Sequence, residues 1–290
     1  MHQFVQVGLS GLTQAATLTI IAVGFIVIYR GSGVFNFAHG EFMVIAPYVA
    51  YGAHHAGLPT VFALLAGLAA STVASVTMYW LILRRMIGAP IFTTAVATLG
   101  VGIIASALVA IIWSGNTDPL PGNFKNTPVS IPGGFHFTQL DIIGVLVVLT
   151  MVLVLELWLK HTRQGLRFRA VAERPLLSAQ LGVPLERVHV IAWAIGGFLA
   201  GGAGLMLAAA SEANPGISNL ALVAFPAAML AGMISLPATL IGAVVIAEAR
   251  AIAGFYYDIS AVDSVSYALL ILILVVRPTG LVRSREVARV

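Results

Sequence analysis

A run of polar residues, Asn36-Phe37-Ala38-His39-Gly40-Glu41, opens one of the long apolar stretches of this chain. Beside a segment of hydrocarbon length, an imidazole or a carboxylate costs a few kcal/mol unless it is paired or wetted. Groups kept there are suited to passing a polar solute or a proton. If a helix starts at Asn36, then Asn36 and Gly40 share a face at i and i+4, with His39 beside them and Glu41 about 100° further round. The local alternative is that Asn36 caps the helix and Glu41 answers its dipole. Glu248 lies within another apolar stretch, and Arg250, two residues on, falls on a different face. Each should then find its partner on another helix or in a wet cavity, unless Glu248 belongs to a purely structural buried pair. Asn36, His39, Gly40, Glu41 and Glu248 are the candidates for a translocation path.

Composition fixes the class of element that must position them. Apolar residues make up 59% of the 290 positions and charged residues 9%, and the mean hydropathy is +0.99, whereas a soluble domain carries roughly 25% charged residues. An all-α, polytopic transmembrane bundle is expected, forming one domain over residues 1–290. A crossing needs about 20 mostly apolar residues. Such stretches fall at 7–29, 36–56, 59–83, 90–113, 139–159, 189–210, 220–235, 238–257 and 262–276. The working number is nine, within a range of about 8–10. One segment is expected to be broken or re-entrant around Ser235-Leu236-Pro237. Met1–Gln6 carries no Lys or Arg, so a cleavable signal peptide is not expected. Small residues at Gly196, Gly197, Ala200, Gly201 and Gly204 should let that helix approach its neighbours closely.

Basic residues orient the chain, because Lys and Arg in short loops are retained in the cytoplasm. Arg30, Arg84, Arg85, the 160–188 connection, and Arg277, Arg283, Arg285 and Arg289 mark every second connection as cytoplasmic. The connections around His54-His55, Asn116–Thr138 (with Lys125 alone) and Ser211–Asn219 should face outward. Nine crossings put the N-terminus outside; eight would put it inside. The C-terminus is expected in the cytoplasm either way. This arrangement explains the pI of 9.7 without nucleic acid.

Enzyme chemistry has no carrier here. The chain has no cysteine, so thiolate nucleophiles and Cys metal sites are excluded. Its only lysines, Lys125 and Lys160, do not follow a glycine, so there is no phosphate-cradling G-x-x-x-x-G-K-[ST] loop. No H-E-x-x-H or G-x-S-x-G occurs. No cofactor or metal is expected on this chain, and any ATP must be bound by a partner subunit.

The 160–188 connection is more than a charged anchor. Lys160, Arg163, Arg167, Arg169, Arg174 and Arg187 outnumber Glu173 and Glu186, but Pro175 to Gly182 also reads as a short amphipathic helix. Pro175 suits the first turn, Leu177 and Leu181 share a face, and Gly182 can end it. A helix with an apolar face on the cytoplasmic rim is what a membrane subunit needs in order to receive movement from an ATPase.

Together with the Asn36–Glu41 signature, four further stretches taken in order resemble the permease subunits of branched-chain amino-acid ABC importers, the LivH type. They are the loop Gly165-Leu166-Arg167, Arg169-Ala170, Glu173 and Leu181-Gly182; the glycine-rich segment after it; Ala247-Glu248; and Arg277-Pro278-Thr279-Gly280-Leu281. The resemblance runs from about residue 7 to 285. It implies a bacterial inner-membrane permease paired with a second permease, two cytoplasmic ATPases and a periplasmic solute-binding protein. It also implies ATPase coupling through Arg169, Glu173, Leu177, Leu181 and Gly182. The chain departs from the family at Ala231–Ala238, where the usual glycine-rich stretch before the proline has lost several glycines. Related permeases handle urea, short amides and aromatic acids, so leucine-like substrates are an expectation of the resemblance. A secondary transporter using Glu41, His39 and Glu248 as a proton relay, or a channel for small polar solutes, remains open.

Overall fold

The structure is a computed structural model that describes residues 2–114, 116, 119–122, 127–131, 135–233, 235–257 and 259–276. Lys125 and the tail with Arg277, Pro278, Thr279, Gly280, Leu281, Arg283, Arg285 and Arg289 lie outside the described residues. Among the described residues, eleven α-helices form the framework: α1 His2–Ser32, α2 His39–His55, α3 Thr60–Leu81, α4 Ile91–Trp113, α5 Gln139–His161, α6 Arg163–Glu173, α7 Pro175–Gln180, α8 Leu185–Ser211, α9 Asn219–Leu230, α10 Leu236–Tyr256 and α11 Ile259–Val276. Nine of them match the nine apolar stretches. Six of those are long and apolar enough to cross a membrane, while α2, α9 and α11 are shorter. Between α4 and α5 an antiparallel hairpin pairs β1 Pro128–Ile131 with β2 Phe135–Thr138.

α1 is the central post, and its contacts with α8 and α10 are the most extensive in the bundle. The residues Ile20 to Ile28 are almost wholly buried, and α1 packs against α8, α10, α9 and α5. The small residues of α8 do what their spacing predicts. Side chains at Gly197 and Gly201 would collide with Ser71 and Ser75 of α3, and one at Gly204 would run into the backbone of Met43 in α2. The Ser71 hydroxyl lies 2.8 Å from the Phe42 carbonyl and 2.7 Å from that of Gly197, and Ser75 donates to the Trp193 carbonyl at 2.8 Å. Hydrogen bonds of this kind between membrane helices contribute about 1 kcal/mol each.

Helix ends follow local chemistry. Thr138 and Asp141 form a reciprocal capping box at the start of α5, satisfying backbone N–H groups that have no helical partner. Thr162 both ends α5 and starts α6, accepting from the Gly165 N–H at 2.9 Å. α6 is a helix that the sequence does not announce, because its density of basic residues reads as a topology anchor. The break at Ser235 is as expected: α9 stops at Leu230, and the Ser235 hydroxyl accepts from the Ala238 N–H at 3.3 Å to start α10.

Candidate functional site

Asn36 does not begin a helix. Gly33 takes φ +71° directly after α1, a left-handed conformation that glycine adopts without steric cost. The Asn36 side-chain oxygen then accepts from the Ala38 N–H at 3.1 Å, closing a local turn. α2 starts only at His39, and its cap residue Ala38 offers no side-chain bond. The helical face shared by Asn36 and Gly40, and the helix-capping role for Asn36, are both corrected by this turn.

The turn also sets the depth of the signature. The Phe37 N–H donates to Thr98 Oγ1 at 3.1 Å, and Thr98 lies about two turns into α4. The His39 ring fills the space beside Gly24, where a Cβ would sit 2.6 Å from it, with its centroid 4.6 Å from that of Phe25. Gly24 is six residues before Arg30, roughly 9 Å along the helix. The signature therefore lies inside the bundle rather than at its basic rim.

Its members differ in access. Asn36, His39 and Gly40 are buried, whereas Glu41 keeps open surface. The backbone of Ile21 faces the His39 ring, yet neither ring nitrogen reaches hydrogen-bond geometry with a described residue, and the Asn36 amide nitrogen is likewise without an acceptor. Gly40 lies against the carbonyl of Ser218, the last residue of a short 3-10 turn, Pro215–Ser218, that leads into α9. The Glu41 carboxylate is within reach of the Ser218 side chain, and its stem is 3.7 Å from where a Cβ on Gly102 of α4 would stand. Ala213 and Ile217 are buried too. The Ser211–Asn219 connection thus runs back into the bundle, although its composition reads as an ordinary outward loop.

Glu248 does not join this group. It faces Gly8 and Gly11 of α1, and Gly11 is 13 residues from Gly24, roughly 20 Å along the helix. Arg250 is partnered separately, donating to Gln14 at 3.2 Å and to Asp263 and Ser266 at 2.9 Å. As the spacing predicts, Glu248 and Arg250 are not each other's partners.

At the basic end, α6 is fixed to the bundle. Its Phe168 and Val171 are buried, and Phe168 packs against Gly31 of α1 and Trp158 of α5. Arg169 and Glu173 lie within electrostatic reach of Arg30. α7 turns the other way. Leu176 and Leu181 are 80% and 76% exposed and Leu177 is 43% exposed, while Ser178 is buried. The helix ends at Gln180, so Leu181 is its cap residue rather than part of its face, and Gly182 follows at φ +78°.

Residues 8–275 match the family described as branched-chain amino acid transport system / permease component. The chain belongs to this family. Among its relatives, the high-affinity branched-chain amino acid transport system permease protein LivH of Escherichia coli K12 is 29% identical over 99% of this chain and 98% of its own length. LivH of Salmonella typhimurium is 30% identical with the same coverage. BraD of Pseudomonas aeruginosa, named for the same system, is 29% identical over 100% of this chain and 99% of its own. In this member of the permease family, the signature is a turn wedged between α1, α4 and the entry to α9. Thr98, Ser218 and Phe225 complete it. Only Pro215-Gly216 in the sequence hinted at a turn there, and nothing local marks Thr98 or Phe225.

Proposed function

We propose that this chain is one permease subunit of an ATP-driven importer of branched-chain amino acids in a bacterial inner membrane, with its C-terminus in the cytoplasm. A second permease completes the pathway, a periplasmic solute-binding protein delivers the ligand, and two cytoplasmic ATPases power the cycle. The observation that carries this reading is the contrast between α6 and α7. α6 is buried onto α1 and α5, while α7 holds three leucines out from the basic end of the bundle. A membrane subunit that spends no ATP itself has a use for such a surface, because an ATPase seated on α7 can pull α6 and, through Phe168 and Gly31, the end of α1 whose Gly24 packs against His39 of α2.

Glu41 faces the path in this reading. A carboxylate with open surface at this depth cannot look into hydrocarbon without a cost of a few kcal/mol, so its face must be wet or covered by protein. Asn36, His39 and Gly40 hold Glu41 in place from inside the core. Glu248 lies toward the other end of the same bundle.

Reconstitution tests the assignment. The chain alone in liposomes should give neither ATP hydrolysis nor solute flux. With the second permease, the ATPases and the binding protein, leucine should accumulate only when ATP is supplied. Accumulation driven by a proton gradient, or flux through the single subunit, would establish a secondary transporter or a channel instead.

A further inference from the structure

Resting on the importer reading, we propose that Glu41, Leu222, Phe37 and Phe225 form a station on the path that binds the transported molecule directly, recognising a zwitterion with a branched aliphatic side chain. Phe225 of α9 is the hub of an aromatic cluster: its ring centroid is 5.7 Å from that of Phe25, 5.9 Å from Phe35 and 6.1 Å from Phe37. Phe25 is buried, but Phe35, Phe37 and Phe225 each keep open surface. Ser218 already has helical dihedrals, so Ser218, Leu222 and Phe225 follow one another at i, i+4 and i+7 on one face of α9. Glu41 stands at the Ser218 end of that stripe and Phe37 at the Phe225 end. Leu222, between them, is 42% exposed. One helical turn, about 6 Å, separates Ser218 from Leu222.

The stripe offers a carboxylate at one end and apolar surface within a turn of it. Lipid cannot cover it, because Glu41 would face hydrocarbon. An apolar helix of the second permease would bury the carboxylate unpaired, which is also costly. An amino acid such as leucine brings its own ammonium to Glu41 and lays its aliphatic side chain on Leu222 and the rings, whose open surface is left uncovered by the described residues. Urea and amides match neither end, having no cation and little apolar surface.

Phe225→Trp in the complete importer, held in lipid nanodiscs, places a fluorophore in the stripe, with the parent complex supplying the background of the native tryptophans. Leucine and isoleucine should shift its emission saturably, and urea and glutamate should not. Adding Glu41→Gln should weaken the apparent leucine affinity by about tenfold, as expected for loss of a charged hydrogen-bond partner. Phe37→Trp is the second reporter. Silence of both reporters toward leucine in complexes that still import it with ATP would overturn the station and leave the importer reading standing. An unchanged leucine response in the Glu41→Gln background would overturn it equally. Failure of the parent complex to import any branched-chain amino acid, read in a separate uptake assay, would overturn the importer reading itself.

Discussion

The carbonyl of Ser218 occupies the space into which a side chain on Gly40 would project. At that point α2 and the entry to α9 meet backbone to backbone, and the spacing between the two decides where Glu41 and Phe225 stand. Gly40→Ala pushes a methyl group into a carbonyl that cannot swing away, because Pro215–Ser218 is itself seated by the buried Ala213 and Ile217. Overpacking of this kind costs about 1–3 kcal/mol, and it should appear as a lowered thermal transition of the purified complex. Gly100→Ala is the control, since a Cβ there meets nothing within 4 Å. Equal transitions for the two variants would show that the Gly40 contact yields freely.

His39 and Glu41, two residues apart, should separate stability from transport. His39 is fully buried against Gly24 and Phe25 with neither nitrogen bonded, so it acts as packing. His39→Ala leaves a cavity and should cost about 2 kcal/mol, while the protein that remains folded transports at a near-normal rate. Glu41→Gln keeps the shape and should leave the thermal transition in place while lowering the maximal rate of uptake. Thermal unfolding and initial uptake rates on the same preparations decide it. A stable His39→Ala protein that does not transport would place the imidazole in the path.

These residues also show where the sequence is legible. The nine apolar stretches were readable because a bilayer demands length and composition locally, and the break at Ser235 because a proline-adjacent cap announces itself. The small-residue face of α8 was readable from helical spacing alone, and Gly197 and Gly201 do admit Ser71 and Ser75. The site was only half legible. Asn36 to Glu41 stood out as polar residues in an apolar chain, but their conformation depends on a bond from Phe37 to Thr98, 61 residues away, and on Ser218, farther still. No periodicity reports such contacts. Glu41 and Glu248 are both carboxylates in apolar segments, and polarity carries no information on their relative depth. α6 was hidden by its charge, since a basic loop satisfies the topology rule whether or not it folds.

The division between α6 and α7 leads to a prediction about coupling. Leu177 and Leu181 are exposed at the basic end of the bundle and belong to no part of the buried core, so replacing them with charged residues should destabilise the permease itself little. A partner that buries them would lose apolar contact worth about 1.5–3 kcal/mol for each fully buried leucine and would also have to desolvate a carboxylate. The Leu177→Asp, Leu181→Asp double variant should therefore reach the membrane in normal amount with an unchanged thermal transition, while ATP hydrolysis no longer drives uptake. Phe168→Ala makes the converse case. Phe168 is buried between Trp158 and Gly31, so its loss should cost about 3–5 kcal/mol and free α6 from α1 even with α7 intact. Measuring leucine imported per ATP hydrolysed, with the stability of each variant alongside, distinguishes a lost docking face from a lost linkage. Wild-type coupling in the double variant would reduce the 160–188 connection to a topology anchor.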